Sequence, residues 1–584
     1  MTIPASRQSI ELFLCPADSD QQTLEDGLDR RAMAETGATD DDTEPSESHH
    51  NFFDLGGDPN SLEDQGWGVV APAGARGDRL LGLIHPLLDK RAVDQGRDVV
   101  IHRVEPGMNP IEAMAWVDGR FVGNLSHDEI PGYVLVLGEL AEISLAVQQV
   151  LSSTAYVGRL GFDHDDHYAA YVDKILAHES GPGRDSLPRA LFFTARDGTP
   201  ATTAGRELLI RPSLADAREQ KQRGRFPVAE ILDLEGVAAE AGDLLLDAAG
   251  ADHPSLLLSC SHGMGAPRKG WRSADHQRAM QGALCLGGKQ RIAGDALLEQ
   301  PFLPGGMWFY FACFSAGTPA SSAYHHWLRR LKELGEFGAR LDAVLAALPR
   351  MGDPPFLAAL PKAVLANPRG PLAVMGHLDL AWSYAFQDMD AHGESLRHRR
   401  FQSVLRHIVR GSRVGIALRS LHAARELARA DLLTTADALA RGEQPAGDPL
   451  DVEIRLGHRW MSHQDLDGYV LLGDPAARLA LAPPARAPAA SRRDRDEASD
   501  PAPSPLRADP ATEIVTEITS DAGLDLDQLE DAVHEVIAAE QDPAAIAAEY
   551  GVSESQISRW HEVYTEAGRA ALAAMLKAAR ETTE

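Results

Sequence analysis

Apolar and polar positions divide the chain into short apolar runs bounded by Gly and Pro, and longer stretches with apolar residues three and four apart. Gly66-Trp-Gly-Val-Val-Ala-Pro and Tyr133-Val-Leu-Val-Leu-Gly read as buried strands, and 78–93 carries Leu and Ile at helical spacing. The alternation strengthens beyond residue 186. Strands are predicted at Ala190-Leu-Phe-Phe-Thr-Ala, Ser255-Leu-Leu-Leu-Ser-Cys, Trp308-Phe-Tyr-Phe-Ala-Cys and Pro371-Leu-Ala-Val-Met-Gly, and helices over 228–246, 326–348 and 418–440. Gly468-Tyr-Val-Leu-Leu-Gly-Asp-Pro is the extended piece that closes the domain. Strands alternating with helices predict an α/β fold, a parallel sheet with helices on both faces. A smaller α/β subdomain over 51–185 precedes the main domain over 186–482.

The flanks differ in kind. Residues 1–50 are acidic and polar, with the run Thr39-Asp-Asp-Asp-Thr-Glu-Pro-Ser-Glu-Ser, and are predicted to be mostly disordered because they offer too little apolar surface to offset ordering. Residues 483–510, rich in Pro, Ala, Arg, Asp and Ser, read as a linker. The Ala- and Glu-rich stretch 511–584 reads as an all-helical module.

Charge and cysteine content narrow the class. A net charge of −30 over 584 residues argues against nonspecific attraction to nucleic acid or an anionic membrane. The longest apolar run, 307–314, is too short to cross a bilayer. The first residues lack the basic and apolar regions of a signal peptide, so a cytoplasmic protein is expected. Four cysteines, Cys15, Cys260, Cys285 and Cys313, make no disulfide scaffold and no CxxC metal site. No metal or cofactor is expected.

Two predicted strands end in reactive groups: one runs into His262-Gly263, the other into Cys313. Sites in open parallel sheets form beyond the carboxyl ends of strands, so neighbouring strands would bring the two groups to one edge. A thiol with an ordinary pKa is mostly protonated at neutral pH and needs a base, which an imidazole supplies before returning the proton to a leaving amine. Backbone N–H groups of Gly263 and Cys313 are the candidate oxyanion donors. Cys260 and Cys285 read as structural, and Cys15, in the acidic leader, as incidental.

Ser261-His262-Gly263 after one apolar strand, with Phe311-Ala312-Cys313 after the next, resembles the caspase-like cysteine peptidases, most of all the gingipain-like and bacterial caspase-like branch. The resemblance extends to Tyr133-Val-Leu-Val-Leu-Gly with Ala155-Tyr-Val-Gly-Arg-Leu-Gly-Phe-Asp, to Pro200-Ala-Thr before Leu208-Leu-Ile, to Gly376-His-Leu-Asp-Leu-Ala-Trp-Ser-Tyr and to Tyr469-Val-Leu-Leu-Gly-Asp-Pro, covering roughly 51–480. It implies a caspase-like sheet preceded by a smaller α/β subdomain, an endopeptidase cutting a specific protein substrate, and His262 and Cys313 as its dyad. It also implies Trp382 lining the pocket for the residue before the cut. Asp197, Glu207 and Asp379 lie in loops where any of them would favour a basic side chain, whereas Arg206 would favour an acidic one. Relatives of this kind are often found in bacterial defence or regulated cell-death systems, which is the implied context.

Alternative readings attach to the same stretch. Cys313-Phe-Ser315-Ala-Gly317 is one residue from a nucleophile elbow, which would make Ser315 the nucleophile of an α/β-hydrolase. A catalytically silent scaffold of the same fold is the other alternative. Asp163-His-Asp-Asp-His167 reads as a helix start with Asp163 as N-cap rather than a metal site. Residues 543–565 resemble a transposase-type helix-turn-helix, but 511–584 holds 16 acidic residues against 4 basic ones. Protein docking or self-association is therefore expected of the module ahead of DNA binding.

Overall fold

The computed structural model describes residues 9–17, 22–24, 27–29, 58–122, 130–181, 187–235, 240–267, 269–335, 339–349, 352–387, 397–441, 449–479 and 481. The linker and the helix-turn-helix-like module lie outside them. Residues Leu55–Gln65 group with Pro484–Glu584 as a unit separate from the main body. Its described part holds one short helix, Leu62–Gln65, entered through a bond from Asp64 N–H to Ser61 Oγ at 3.2 Å.

The main body is built on a ten-stranded sheet. Numbered along the chain, its strands are β1 (Trp67–Pro72), β2 (Val100–Val104), β3 (Tyr133–Leu137), β4 (Tyr156–Leu160), β5 (Arg189–Thr194), β6 (Glu230–Leu234), β7 (Ser255–Cys260), β8 (Met307–Phe311), β9 (Ala373–His377) and β10 (Tyr469–Gly473). Their spatial order is β2-β1-β3-β4-β10-β9-β8-β7-β5-β6. Every neighbouring pair is parallel except β9 with β10. The sheet is thus two parallel halves running in opposite directions. β3, β7 and β8 are apolar at almost every position and buried throughout, as strands covered on both faces must be. The fold is α/β as expected. The predicted boundary near 185 falls inside one continuous sheet, joined where Leu472 of β10 pairs with Arg159 of β4.

Several elements depart from expectation. The stretch 228–246 is not one helix: it holds the edge strand β6 and then a helix, Ala241–Gly250. The stretch 78–93 is two helices, Ala75–Leu83 and His85–Gln95, with Pro86 at the second one's first turn. Asp163 does not cap the following helix, which starts at Asp165 with His164 as its N-cap. The Asp163 carboxylate instead takes two bonds from Lys362 Nζ, at 2.8 and 2.9 Å.

The acidic leader also differs from its expected lack of structure. Leu14–Pro16 joins a four-stranded sheet with His262–Gly265, Leu284–Gly287 and Gln290–Ile292, and Ser9–Ile10 pairs with Leu28–Asp29. Cys15 is not incidental there: it is buried against Met264 and Cys285.

Candidate functional site

Parallel pairing in the second half of the sheet sends the carboxyl ends of β5, β7, β8 and β9 to one edge. Cys260 of β7 is paired with Phe311 of β8, so His262 and Cys313 each lie two residues beyond an aligned pair. Gly263 packs directly on the Cys313 backbone, where a Cβ would fall 1.7 Å from the Cys313 carbonyl oxygen. Only glycine fits that approach. Past Cys313 the chain turns through Phe314, a non-glycine residue at φ 55° whose N–H is fixed by the Asp379 carbonyl at 2.8 Å. This strained turn presents the Cys313 N–H beside that of Gly263. Both donate to one carbonyl oxygen, that of Phe13, at 3.0 Å from Gly263 and 3.4 Å from Cys313.

The imidazole of His262 is buttressed from the loop after β5. Its Nε2 lies 2.9 Å from Thr199 Oγ1 and 3.5 Å from Asp197 Oδ2. Thr199 Oγ1 donates to Asp197 Oδ1 at 2.8 Å, and Thr202 Oγ1 donates to the same oxygen at 2.6 Å. With the Thr199 proton directed at the carboxylate, its oxygen accepts from Nε2–H, which leaves Nδ1 as the basic nitrogen. Nδ1 is buried and makes no hydrogen bond of good geometry among the described residues. Burial pulls the His262 pKa below its ordinary value, while the Asp197 carboxylate and the Phe13 backbone push it up. Burial raises the Cys313 thiol well above its usual range. The Cys313 sulfur accepts the Ala381 N–H at 3.3 Å.

The other residues singled out in the sequence fall in different places. Asp197 sits behind the imidazole. Asp379 is buried with its carboxylate latching two loops, accepting from Leu380 N–H at 2.8 Å and Ala323 N–H at 3.0 Å, and burial raises its pKa to about 7. Glu207 is ion-paired with Arg211 on its own helix, and Arg206 is held by Asp233 and Glu235. Trp382 is fully buried, its ring 5.9 Å from that of Trp327 and 5.8 Å from that of Tyr324. Its backbone N–H donates to Asp465 Oδ1 at 2.9 Å. Ser315 is spent on the backbone: its hydroxyl donates to the Tyr310 carbonyl at 2.9 Å and accepts from His377 N–H at 2.8 Å. It has no base within these contacts.

Three contributors were missed in the sequence. Thr199 carried one signal, Asp197-Gly-Thr-Pro after a predicted strand, which reads as an ordinary helix start. Asp465 carried none; its carboxylate holds the 382–385 loop through the N–H groups of Trp382 and Ala385, at 2.9 and 3.0 Å. Phe13 was hidden in acidic surroundings. Among the described residues no His, Cys, Asp and Glu cluster could hold a metal, and no helix is long and apolar enough to cross a membrane.

No family model matches the chain, and no curated protein matches it. Similar solved structures include a protease with a TM-score of 0.41 and 12% identity, covering 71% of this chain and 78% of that one. Another is gingipain R, an Arg-specific cysteine proteinase, with a TM-score of 0.39 and 12% identity over 71% and 78% of the two chains. A third is the complex of the pro- and mature domains of Porphyromonas gingivalis RgpB, with a TM-score of 0.38 and 13% identity over 71% and 79%.

Proposed function

We propose that this protein is a caspase-like cysteine endopeptidase that uses Cys313 as nucleophile and His262 as general base and acid. The observation that carries the reading is the convergence of the Gly263 and Cys313 N–H groups on a single carbonyl oxygen, beside an imidazole braced by Thr199 and Asp197. Two donors aimed at one point stabilise the negative charge that develops on a peptide oxygen under attack.

His262 Nδ1 takes the thiol proton as the Cys313 sulfur bonds to the peptide carbonyl carbon, and the C=O electron pair moves to oxygen, held by the two N–H groups. Collapse breaks the C–N bond, and the Nδ1 proton goes to the departing amine. The thioester left on Cys313 is then hydrolysed: water gives a proton to Nδ1 and its oxygen to the acyl carbon, the C–S bond breaks, and the departing sulfur takes the proton back from Nδ1. Thr199 and Asp197 keep Nε2–H fixed throughout. The protein substrate, a cytoplasmic location, a role in bacterial defence or regulated cell death, and partner binding or self-association through 511–584 belong to the same proposal.

Comparing turnover of a peptide library by the wild type, Cys313→Ala and Ser315→Ala tests it. Hydrolysis should vanish in the first variant and persist in the second. Hydrolysis that survives Cys313→Ala would refute the assignment.

A further inference from the structure

The carbonyl held by Gly263 and Cys313 belongs to the chain itself. Around it, residues 11–16 cross the site as an added strand. On one side, Phe13 N–H donates to the Ala381 carbonyl at 3.3 Å, Leu12 bridges Trp382 in antiparallel sense, and Ser383 N–H donates to the Glu11 carbonyl at 3.2 Å. On the other, Leu14, Cys15 and Pro16 pair in parallel with Gly263, Met264 and Gly265. Main-chain pairing of this kind is how an extended peptide is held along a sheet edge, with pockets reading its side chains.

The pocket that takes Phe13 is apolar. Its ring stacks edge-on against Phe311 with centroids 4.8 Å apart and lies 6.1 Å from the ring of Phe386. Gly205 forms a wall, where a Cβ would come within 3.0 Å of Phe13 Cε1 and 2.4 Å of Cys260 Sγ. Phe13 is completely buried, and so are His262 and Cys313 beneath the segment. The segment is anchored beyond the cleft as well: Gln22 bridges Glu11 and Ala201 N–H, each at 2.9 Å, and Thr23 bonds the Leu14 carbonyl through N–H and hydroxyl, each at 3.0 Å.

Resting on the peptidase reading and deepening it, we propose that residues 11–16 occupy the cleft in the register of a substrate, with Phe13–Leu14 at the position of the bond to be cut. The site therefore selects peptides with a large aromatic or apolar side chain immediately before that bond. The segment acts as a built-in competitor: external substrate engages only the fraction of molecules in which it has left the cleft, and apparent affinity falls by that fraction.

The full chain is assayed with fluorogenic peptides Glu-Leu-X, where X is Phe, Leu, Ala, Arg, Lys or Asp. Phe or Leu should exceed the charged residues by about tenfold or more in kcat/KM. Phe13→Asp should raise turnover of the Phe peptide about tenfold and speed alkylation of Cys313 by iodoacetamide. Should Phe13→Asp fail to fold, as judged by its melting curve, the wild type treated with Glu-Leu-Phe and Glu-Leu-Arg chloromethyl ketones gives the same comparison at Cys313. A wild-type chain beginning at Leu14 after incubation supports the register, whereas a Cys313-dependent cut elsewhere within 9–17 contradicts it. Preference for Arg, Lys or Asp, or a folded Phe13→Asp variant with unchanged turnover and labelling, overturns this inference and leaves the peptidase standing. No hydrolysis of any peptide and no adduct on Cys313 would remove the peptidase reading itself.

Discussion

Thr199 stands between a carboxylate and an imidazole, and its value lies in the proton it assigns. By accepting from Nε2–H while donating to Asp197, it fixes the tautomer that leaves Nδ1 basic. Thr199→Val removes that acceptor, and Asp197→Asn removes the charge that would favour an imidazolium in the proposed attack. Each should lower kcat by about 10²-fold with little change in KM, and steady-state kinetics on one peptide would check it. Rescue by Thr199→Ser would assign the effect to the hydroxyl. The placement of His262, Gly263 and Cys313 at one sheet edge was readable in the sequence because each follows an apolar strand that could only be a central one. Thr199 was not, because its local role as the N-cap of Pro200–Gly205 accounts for it without any partner 63 residues away.

Asp379 adds a titration at the same scale. Its carboxyl is raised from 3.8 to about 7 by burial, so the folded chain holds that proton over a range where the unfolded chain has lost it. The contribution of Asp379 to stability is thus fully present below about pH 4 and is lost as pH rises toward 7. Asp379→Asn keeps a carbonyl oxygen for the Leu380 and Ala323 N–H groups and removes the titration. Urea midpoints at pH 5 and pH 8 should fall less for this variant than for the wild type across that interval; equal slopes would show that Asp379 ionises normally.

At the scale of elements, the strands that carry the site were predicted nearly to the residue, since a doubly covered strand is apolar without interruption. The sequence pattern instead predicts a helix where the edge strand β6 lies. Its neighbourhood places Val228, Ile231 and Leu232 at helical spacing, and a half-exposed edge strand lacks the continuous apolar run that marks β7 and β8. The segment at 11–16 was missed for a related reason. Hydropathy averaged over the acidic leader hides Leu12, Phe13 and Leu14, whose burial depends on a cleft made by residues some 250 to 370 positions later.

For the whole molecule, sequence alternation suggested two α/β units in series, whereas the strands form one sheet whose halves run oppositely. That reversal explains why His262, Cys313 and the loop carrying Asp197 and Thr199 meet at one edge, beyond the carboxyl ends of β5, β7 and β8, while the carboxyl ends of β1 to β4 point to the other edge. Within the half formed by β1 to β4 and β10, a buried ion cluster ties the end of β10 to the helices that follow β1 and β4. Arg91 donates to Asp474 Oδ2 at 2.6 Å and to Glu179 Oε1 at 2.6 Å, and Asp474 Oδ1 accepts from Trp67 Nε1 at 3.0 Å. Arg91→Ala strands the Asp474 carboxylate without its cation in the interior and should cost about 3–5 kcal/mol, seen as an earlier urea unfolding midpoint. A midpoint within error of the wild type would mean the cluster contributes nothing net.

Everything functional depends on Cys313 being the atom that attacks. Treating the full chain with a peptidyl chloromethyl ketone and locating the adduct by tandem mass spectrometry tests this most directly. One thioether per chain on Cys313, formed only while His262 is intact, is the predicted result. An adduct on Cys15, Cys260 or Cys285 in its place, or labelling of Cys313 that proceeds equally fast in His262→Ala, would contradict it.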